Sequence, residues 1–403
     1  MMVRKYILLF LSIACYTYFT QWNIVYLLII SLFIVYTNRT SKESRKKIFA
    51  IASVLCLVAG FILFKYTRPT GMLLGYSVFA FSGISFVIDQ YKAGKKYSMT
   101  DILVYLFFFP KMLAGPIVRV DYLITQFATC TMSKHHIYQG MKLLIYACFL
   151  KFIIADIILN KDMNGIGLNL LIQTIIWGIR FYLDFYAYSL IAVGLALLVG
   201  ISLPYNFNNP YSAKSFRDLW RRWNITLTQW LGNYVYIPLG GSRCTTLKIC
   251  RNMLLTFIVS GLWHSATWSF ILWGLCHGFL ISAERVFWND PKNGATRFVY
   301  KTLVVFTTLF LWQLFRLTDV TQTIDYVSQL FSVAPIETTT MIYGATACGL
   351  IYFIEMPLTK RLMLGNENSP CNVICEVSIL SFMLAVVILC PLHYTFNFFY
   401  LKY

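Results

Sequence analysis

Two histidines, His264 and His277, lie inside the apolar segment SGLWHSATWSFILWGLCHG. An ionisable side chain carried in such a run is costly enough to mark a functional site. Imidazole has an ordinary pKa near 6.5, so it takes a hydroxyl proton near neutral pH. General-base catalysis of acyl transfer is the chemistry this suggests, with a satisfied core histidine as the plainer account. The two residues are thirteen positions apart, which on one unbroken helix is ~20 Å along the axis and about 220° around it. That geometry keeps them apart and leaves one of them alone at a reaction centre. Gly261, Ser265 and Ala266 mark a place near His264 where another group approaches closely. His135, His136 and His393 receive no role.

The second polar residue in an apolar setting is Asn224. It falls within residues 206–251, a polar stretch that carries Trp220, Trp223, Leu227, Trp230, Leu231 and Tyr234 at helical spacing, with Arg217, Arg221 and Arg222 opposite. An amphipathic helix at the membrane is expected, and the bland account of it is a surface anchor binding lipid headgroups. Asn224 then sits on the apolar face. With His264 as base, its amide would steady an oxyanion or orient an acceptor. A serine triad is less persuasive: there is no GxSxG elbow, and Ser260 and Ser265 have no obvious carboxylate partner in the span. Asp184, in RFYLDFYAYS beside Arg180, reads as a structural ion pair or as part of the chamber lining.

The elements that must position these groups are transmembrane helices. Of 403 residues, 58% are hydrophobic and 12% charged, against about 25% charged in soluble domains. Runs long enough to cross a bilayer recur at Ile48–Phe64, Met72–Asp89, Gly140–Leu159, Arg180–Leu203, Met253–Leu272 and Val373–Leu392. Tyr6–Phe19 and Ile24–Tyr36 read as a retained hairpin rather than a signal peptide. The expectation is an all-α polytopic membrane protein of roughly ten or eleven spans, in one domain over 1–403, with re-entrant or interfacial helices. Alternating strands of a barrel are absent. In FFFPKMLAGPIVRVDYL, Pro110 and Gly115-Pro116 should break a helix at membrane depth.

The net charge of +18 sits in short loops, including Arg4 and Lys5, Arg39 to Lys47, and Lys92 to Lys96. This pattern fits membrane orientation with a cytoplasmic N-terminus better than nucleic-acid binding. Eleven scattered cysteines without a CxxC pair fit small buried helix residues and support no metal site.

Several segments together resemble the MBOAT (membrane-bound O-acyltransferase) family, in particular its bacterial alginate-acetylating branch. They are GISFVIDQYK (83–92), FFPKMLAGPIVR (108–119), FYLDFYAYSLIAVGLA (181–196), the stretch from Tyr205 to Arg243, GLWHSATWSFILWGLCHG (261–278) and the closing FNFFYLKY (396–403). The core motifs fall at about 83–278. The resemblance implies that His264, the histidine of the LWH motif, is catalytic and that Asn224 stands where the branch usually has histidine. It implies a donor- or substrate-binding set of Arg221, Arg222, Trp223, Asp184, Trp263, Trp268, Tyr236 and His277, with Lys214 also placed to attract phosphates. Gly232 and Asn233 stand where Arg and Asp are common, and Leu190 replaces an aspartate, so local contacts to donor or partner should differ. Relative to that branch the chain looks shorter by its first span.

What the resemblance implies is an O-acetyltransferase of the bacterial cytoplasmic (inner) membrane. It would carry acetyl from cytosolic acetyl-CoA, a substrate rather than a cofactor, toward a cell-surface or exported polysaccharide. A separate periplasmic or surface SGNH-type acetyltransferase would complete the transfer. D-alanyl transfer to teichoic acid, a glycan-precursor transporter and an inactive scaffold are the alternatives.

Overall fold

The computed structural model describes residues 2–20, 23–40, 42–66, 75–112, 115–129, 131–160, 165–287, 293–317, 319–355 and 370–390. The closing FNFFYLKY motif, His393, Cys130 and the side chains of Cys371 and Cys375 lie outside this description. Among the described residues the regular structure is helical throughout, with no strand.

The fold divides into two compact units, 1–141 with 189–205, and 142–188 with 206–403. The chain passes between them more than once, so no single linker marks the division in the sequence.

The first unit begins with α1 (Met2–Thr20) and α2 (Ile24–Arg39), the expected hairpin, followed by α3 (Glu43–Tyr66) and α4 (Tyr76–Ala93). Next come α5 (Met99–Phe107), α6 (Val120–Thr129) and the first half of α7 (Lys134–Cys148). The break foreseen at Pro110 is present: α5 stops at Phe107, a 3₁₀ turn covers Phe109–Lys111, and α6 resumes at Val120. Buried side chains satisfy the freed backbone, as membrane depth requires. The Tyr105 hydroxyl donates to the Val118 carbonyl at 2.9 Å, and Phe109 N–H donates to Ser12 Oγ at 3.1 Å. Lys111, fully buried, donates to Ser82 Oγ at 3.1 Å and sits 4.1 Å from the Tyr105 ring centroid.

The second unit holds the candidate site. The run expected at Gly140–Leu159 is α7 continued by a π-helical segment, Phe149–Ile158. It is followed by α8 (Leu168–Leu198), 31 residues long and so about 46 Å from end to end, of which residues 168–188 belong to this unit. After an extended stretch come the short α9 (Phe216–Arg222) and α10 (Ile225–Leu231), then α11 (Thr246–His264), α12 (Trp268–Phe287) and α13 (Gly294–Leu311). A 3₁₀ turn, Trp312–Phe315, leads on to α14 (Val320–Leu330), α15 (Thr338–Phe353) and α16 (Pro370–Leu389).

Four described segments have the length and hydropathy of a full span: 43–64, 168–198, 268–287 and 294–315. Two shorter apolar helices, 24–39 and 376–389, add to them. The remaining apolar runs are built from shorter or broken helices. The chain is a multi-pass integral membrane protein.

Two sequence expectations are corrected here. The run Met253–Leu272 is not one helix: α11 ends at His264, Ser265 is extended (φ −165, ψ 156), and α12 begins at Trp268. The two helices pack side by side. A Cβ on Gly261 would run into the Phe270 carbonyl oxygen, and one on Gly274 into that of Phe257. Gly261 therefore serves the approach of α12, not of a ligand. Likewise, the stretch 206–251 is not one amphipathic helix, because it breaks between α9 and α10 at Asn224, whose φ of 40 and ψ of 55 are left-handed.

Candidate active site

The hairpin turn brings His264 and His277 to the same tryptophan. The His264 ring lies 5.3 Å from Trp273 (86°) and the His277 ring 5.1 Å from it (64°). The separation calculated for a continuous helix does not apply, because the chain reverses between them. His264, 7% exposed, is further enclosed by Trp263 at 4.4 Å, Phe315 at 4.8 Å and Phe270 at 5.8 Å. Aromatic faces and edges wall this imidazole and shield it from water. His277 is fully buried, and its Nδ1 accepts from Trp220 Nε1 at 3.4 Å. That bond holds the ring as the Nε2–H tautomer. Its Nε2, like Trp273 Nε1, has no hydrogen-bond partner among the described residues.

Trp312 and Phe315 were not singled out from the sequence. Three residues per 3₁₀ turn put both on one face, where they close the site. Trp312 stacks on Trp223 at 4.4 Å (27°) and packs 5.9 Å from Trp273, while Phe315 meets His264. Trp223 is also flanked by Tyr182 at 5.7 Å and Phe207 at 5.1 Å. An unbroken aromatic series thus runs from His264 through Phe315 and Trp312 to Trp223, the residue before Asn224. The one available hint was spacing, since Trp312 and Phe315 are polar-interrupted neighbours in WQLF at the end of an apolar run.

Asn224 is 6% exposed and occupies the N-cap position of α10, but its side chain makes no capping bond. Asn206 does that work. Its Oδ1 accepts from Thr226 N at 3.3 Å and Thr226 Oγ1 at 2.6 Å, and its carbonyl accepts from Ile225 N at 2.9 Å. Asn208 N–H to the Arg222 carbonyl, 3.0 Å, clamps the other side of the break. Asparagine and histidine both tolerate the left-handed region better than most residues, so the backbone accepts either at this point. An Asn224→Gly variant should keep the break while removing the amide. If that amide stabilises an oxyanion, acyl-transfer rate in purified protein falls about 10²–10³-fold with the detergent-solubilised protein still monodisperse. Unchanged turnover would assign Asn224 to backbone geometry alone.

Other expected residues separate by surroundings. Lys214, Arg217, Arg221 and Arg222 line one cleft of about 400 Å³ with Asp218 and Glu284. Arg222 is partly a strut, donating to Asp218 Oδ1 at 3.0 Å and to the Asn208 carbonyl at 3.2 Å; Arg221 is exposed. Glu284, absent from the sequence reading, is buried and fixes the start of α9, accepting from Phe216 N at 2.6 Å and Tyr300 Oη at 3.1 Å. Trp268 is 72% exposed, and the half-buried Tyr236 shares a hydrogen bond with Ser242 at 2.9 Å. Asp184 pairs not with its neighbour Arg180 but with Lys151 of the π segment at 2.6 Å, both fully buried. Arg180 lies 4.0 Å from Asp156 instead.

The site is thus a buried imidazole at a helix break, with a basic cleft on the same helical unit, in an integral membrane protein. The chain belongs to the membrane-bound O-acyltransferase family, whose model matches residues 6–321. It is similar to a probable alginate O-acetylase of Azotobacter vinelandii, 34% identical over 257 residues, 60% of this chain and 50% of the relative. It is also similar to a peptidoglycan O-acetyltransferase of Helicobacter pylori, 28% identical over 345 residues, 71% of this chain and 66% of the relative. A teichoic acid D-alanyltransferase of Bacillus subtilis is 26% identical over 301 residues, 67% of this chain and 75% of the relative. The match covers about half the length of the first of these and about two thirds of the second.

Proposed function

We propose that this chain transfers acetyl from acetyl-CoA to a hydroxyl acceptor, in the O-acetylation of a cell-surface or exported polysaccharide. The observation that carries the reading is the placement of His264: a buried imidazole at a hairpin tip, within a chain of this family. His264 takes the proton of the attacking hydroxyl. The new C–O bond forms as the thioester C–S bond breaks, and the imidazolium returns its proton to the departing thiolate. The Asn224 amide is assigned to the oxyanion.

The geometry also suits a donor that enters from one end of the span. Tyr300, whose hydroxyl binds Glu284 at the basic cleft, and Phe315, beside His264, are on the same membrane-spanning segment, about 22 Å apart at helical rise. Phosphates would sit near Lys214, Arg217 and Arg221, with the thioester reaching inward along the pantetheine arm. The cleft side is assigned to the cytosol of a bacterial cytoplasmic (inner) membrane, with the N-terminus also cytoplasmic. An extracytoplasmic SGNH-type acetyltransferase is the proposed partner for the polymer.

Purified protein supplied with labelled acetyl-CoA should release labelled acetate or acetylate added glycans. Arg221→Glu should raise KM for acetyl-CoA roughly three- to tenfold, an effect that shrinks as salt screens the exposed charge. Turnover of a carrier-bound D-alanyl thioester, with none of acetyl-CoA, would replace this reading by D-alanyl transfer.

A further inference from the structure

A groove of about 360 Å³ lies between α3 and α4 in the first unit. The span that begins α3 is the least enclosed of the four full-length ones, with 28% of its apolar window buried, so most of its side chains meet lipid. Val54, Leu55, Val87 and Ile88 line the groove, and polar atoms contribute almost nothing to its wall. One end is different. Lys47 of α3 and Lys92 of α4 stand there, together with Tyr91.

Helical spacing builds this feature from the sequence. Lys47, Ile51, Val54 and Leu55 recur at i, i+4, i+7 and i+8 along α3, and Ile88 and Lys92 at i and i+4 along α4, so each helix supplies one stripe that passes from charged to apolar. At helical rise Lys47 and Leu55 are about 12 Å apart. That is most of one leaflet's hydrocarbon depth, roughly 15 Å or half of the bilayer core.

The lining selects the occupant. An extended peptide laid in the groove would leave its N–H and C=O groups without partners. A helix, about 10 Å across, would need roughly 900 Å³ over the same length. A hydrocarbon chain needs neither hydrogen bonds nor that width.

Charge at the mouth is one-sided. Residues 39–47 hold five Lys and Arg and residues 92–96 three Lys, against the single acid Glu43. Glu43 is engaged by the Tyr91 hydroxyl, and Lys46 sits 5.1 Å from the centroid of the Tyr91 ring. Asp89, one turn before Lys92, is held by Arg119 at 3.3 Å. Lys47 and Lys92 are exposed and, among the described residues, make no ion pair.

We propose that this groove binds one anionic glycerophospholipid, with an acyl chain along Ile51, Val54, Leu55 and Ile88 and the phosphate held by Lys47 and Lys92. Lysine binds phosphate as a point charge. A zwitterionic lipid brings its own ammonium to the same place, so a headgroup of net negative charge is preferred. With the basic loops in the cytosol, the orientation assigned above, the lipid belongs to the negatively charged cytoplasmic leaflet. The groove and its charges do not depend on that assignment.

The test titrates purified full-length protein in detergent with dioleoylphosphatidylglycerol or dioleoylphosphatidylethanolamine and counts bound lipid by native mass spectrometry. The phosphatidylglycerol should bind roughly tenfold tighter or more. A basic residue beside a headgroup is worth about fivefold in affinity. Lys47→Gln/Lys92→Gln should therefore weaken phosphatidylglycerol roughly 25-fold and bring the two lipids level. Lys134→Gln/Lys248→Gln, which removes two exposed lysines elsewhere, should not. Ile51→Trp, at an exposed groove position, should weaken both lipids by obstructing the chain. Unfolding temperatures without lipid should stay within about 2 °C of wild type, since all five positions are on the surface. Equal affinity of the wild type for both lipids, a preference that survives in Lys47→Gln/Lys92→Gln, or binding unmoved in Ile51→Trp would overturn the proposal. Displacement of the lipid by an equal concentration of sn-glycerol 3-phosphate would overturn it too, because the lysines would then read phosphate without the chain.

Discussion

Alanine at position 264 is expected to lower acetyl-CoA-dependent transfer by about two to four orders of magnitude, the range contributed by a positioned general base. The effect should lie in kcat. His264 belongs to the tip of the α11–α12 hairpin and touches Trp263, Phe270, Trp273 and Phe315, whereas the basic residues that would hold the donor's phosphates line a different cleft. Donor KM should therefore move little. His277 provides the internal control, because its Nδ1 is engaged with the Trp220 indole and it is buried behind Trp273. His277→Ala removes packing and should lower stability before chemistry, while His264→Gln keeps volume and loses only the base. Measured with labelled acetyl-CoA on monodisperse protein, a His264→Gln variant that retains wild-type turnover would remove this residue from the reaction.

Much of the scaffold was legible because bilayer-length apolar runs and proline breaks act locally. The α1–α2 hairpin and the interruption after Phe107 follow from residues within a few positions. The reversal at residues 265–267 was not legible, because Ser265, Ala266 and Thr267 carry neither glycine nor proline to announce a turn. What sets it is the close packing of α11 on α12 through Gly261 and Gly274. Asn224 was recognisable as a polar misfit, but WRRWNITLTQW has continuous helical spacing. The break there is imposed by Asn206, eighteen residues upstream, through bonds to Ile225 and Thr226. Arg180 was the obvious partner for Asp184 by proximity in sequence, yet four residues on a helix place a side chain on the same face without ensuring that it turns toward the carboxylate. Lys151, thirty-three positions away, comes from another helix.

The Lys151–Asp184 pair carries the largest stability effect. Both groups are fully buried, 2.6 Å apart, and Lys151 also reaches Asp156 at 3.1 Å across the five-residue step of the π segment. Taking a charged partner from a buried group costs up to about 3–5 kcal/mol, less for Asp184→Leu because Lys151 keeps Asp156, whereas replacing both with apolar residues of similar volume is often neutral. Lys151→Met and Asp184→Leu should thus each lower the unfolding temperature in detergent, and the double variant should recover most of the loss. The functional consequence runs through α8. Phe181, Tyr182 and Phe185 pack on Trp223 at 6.0, 5.7 and 6.4 Å, so the same helix that Lys151 pins in place supports the residue before Asn224. If Asp184 acts only as that pin, acyl transfer returns in the double variant together with stability. A double variant that is as stable as wild type but inactive would give the Asp184 carboxylate a chemical part in the reaction chamber, the alternative that its position in RFYLDFYAYS left open.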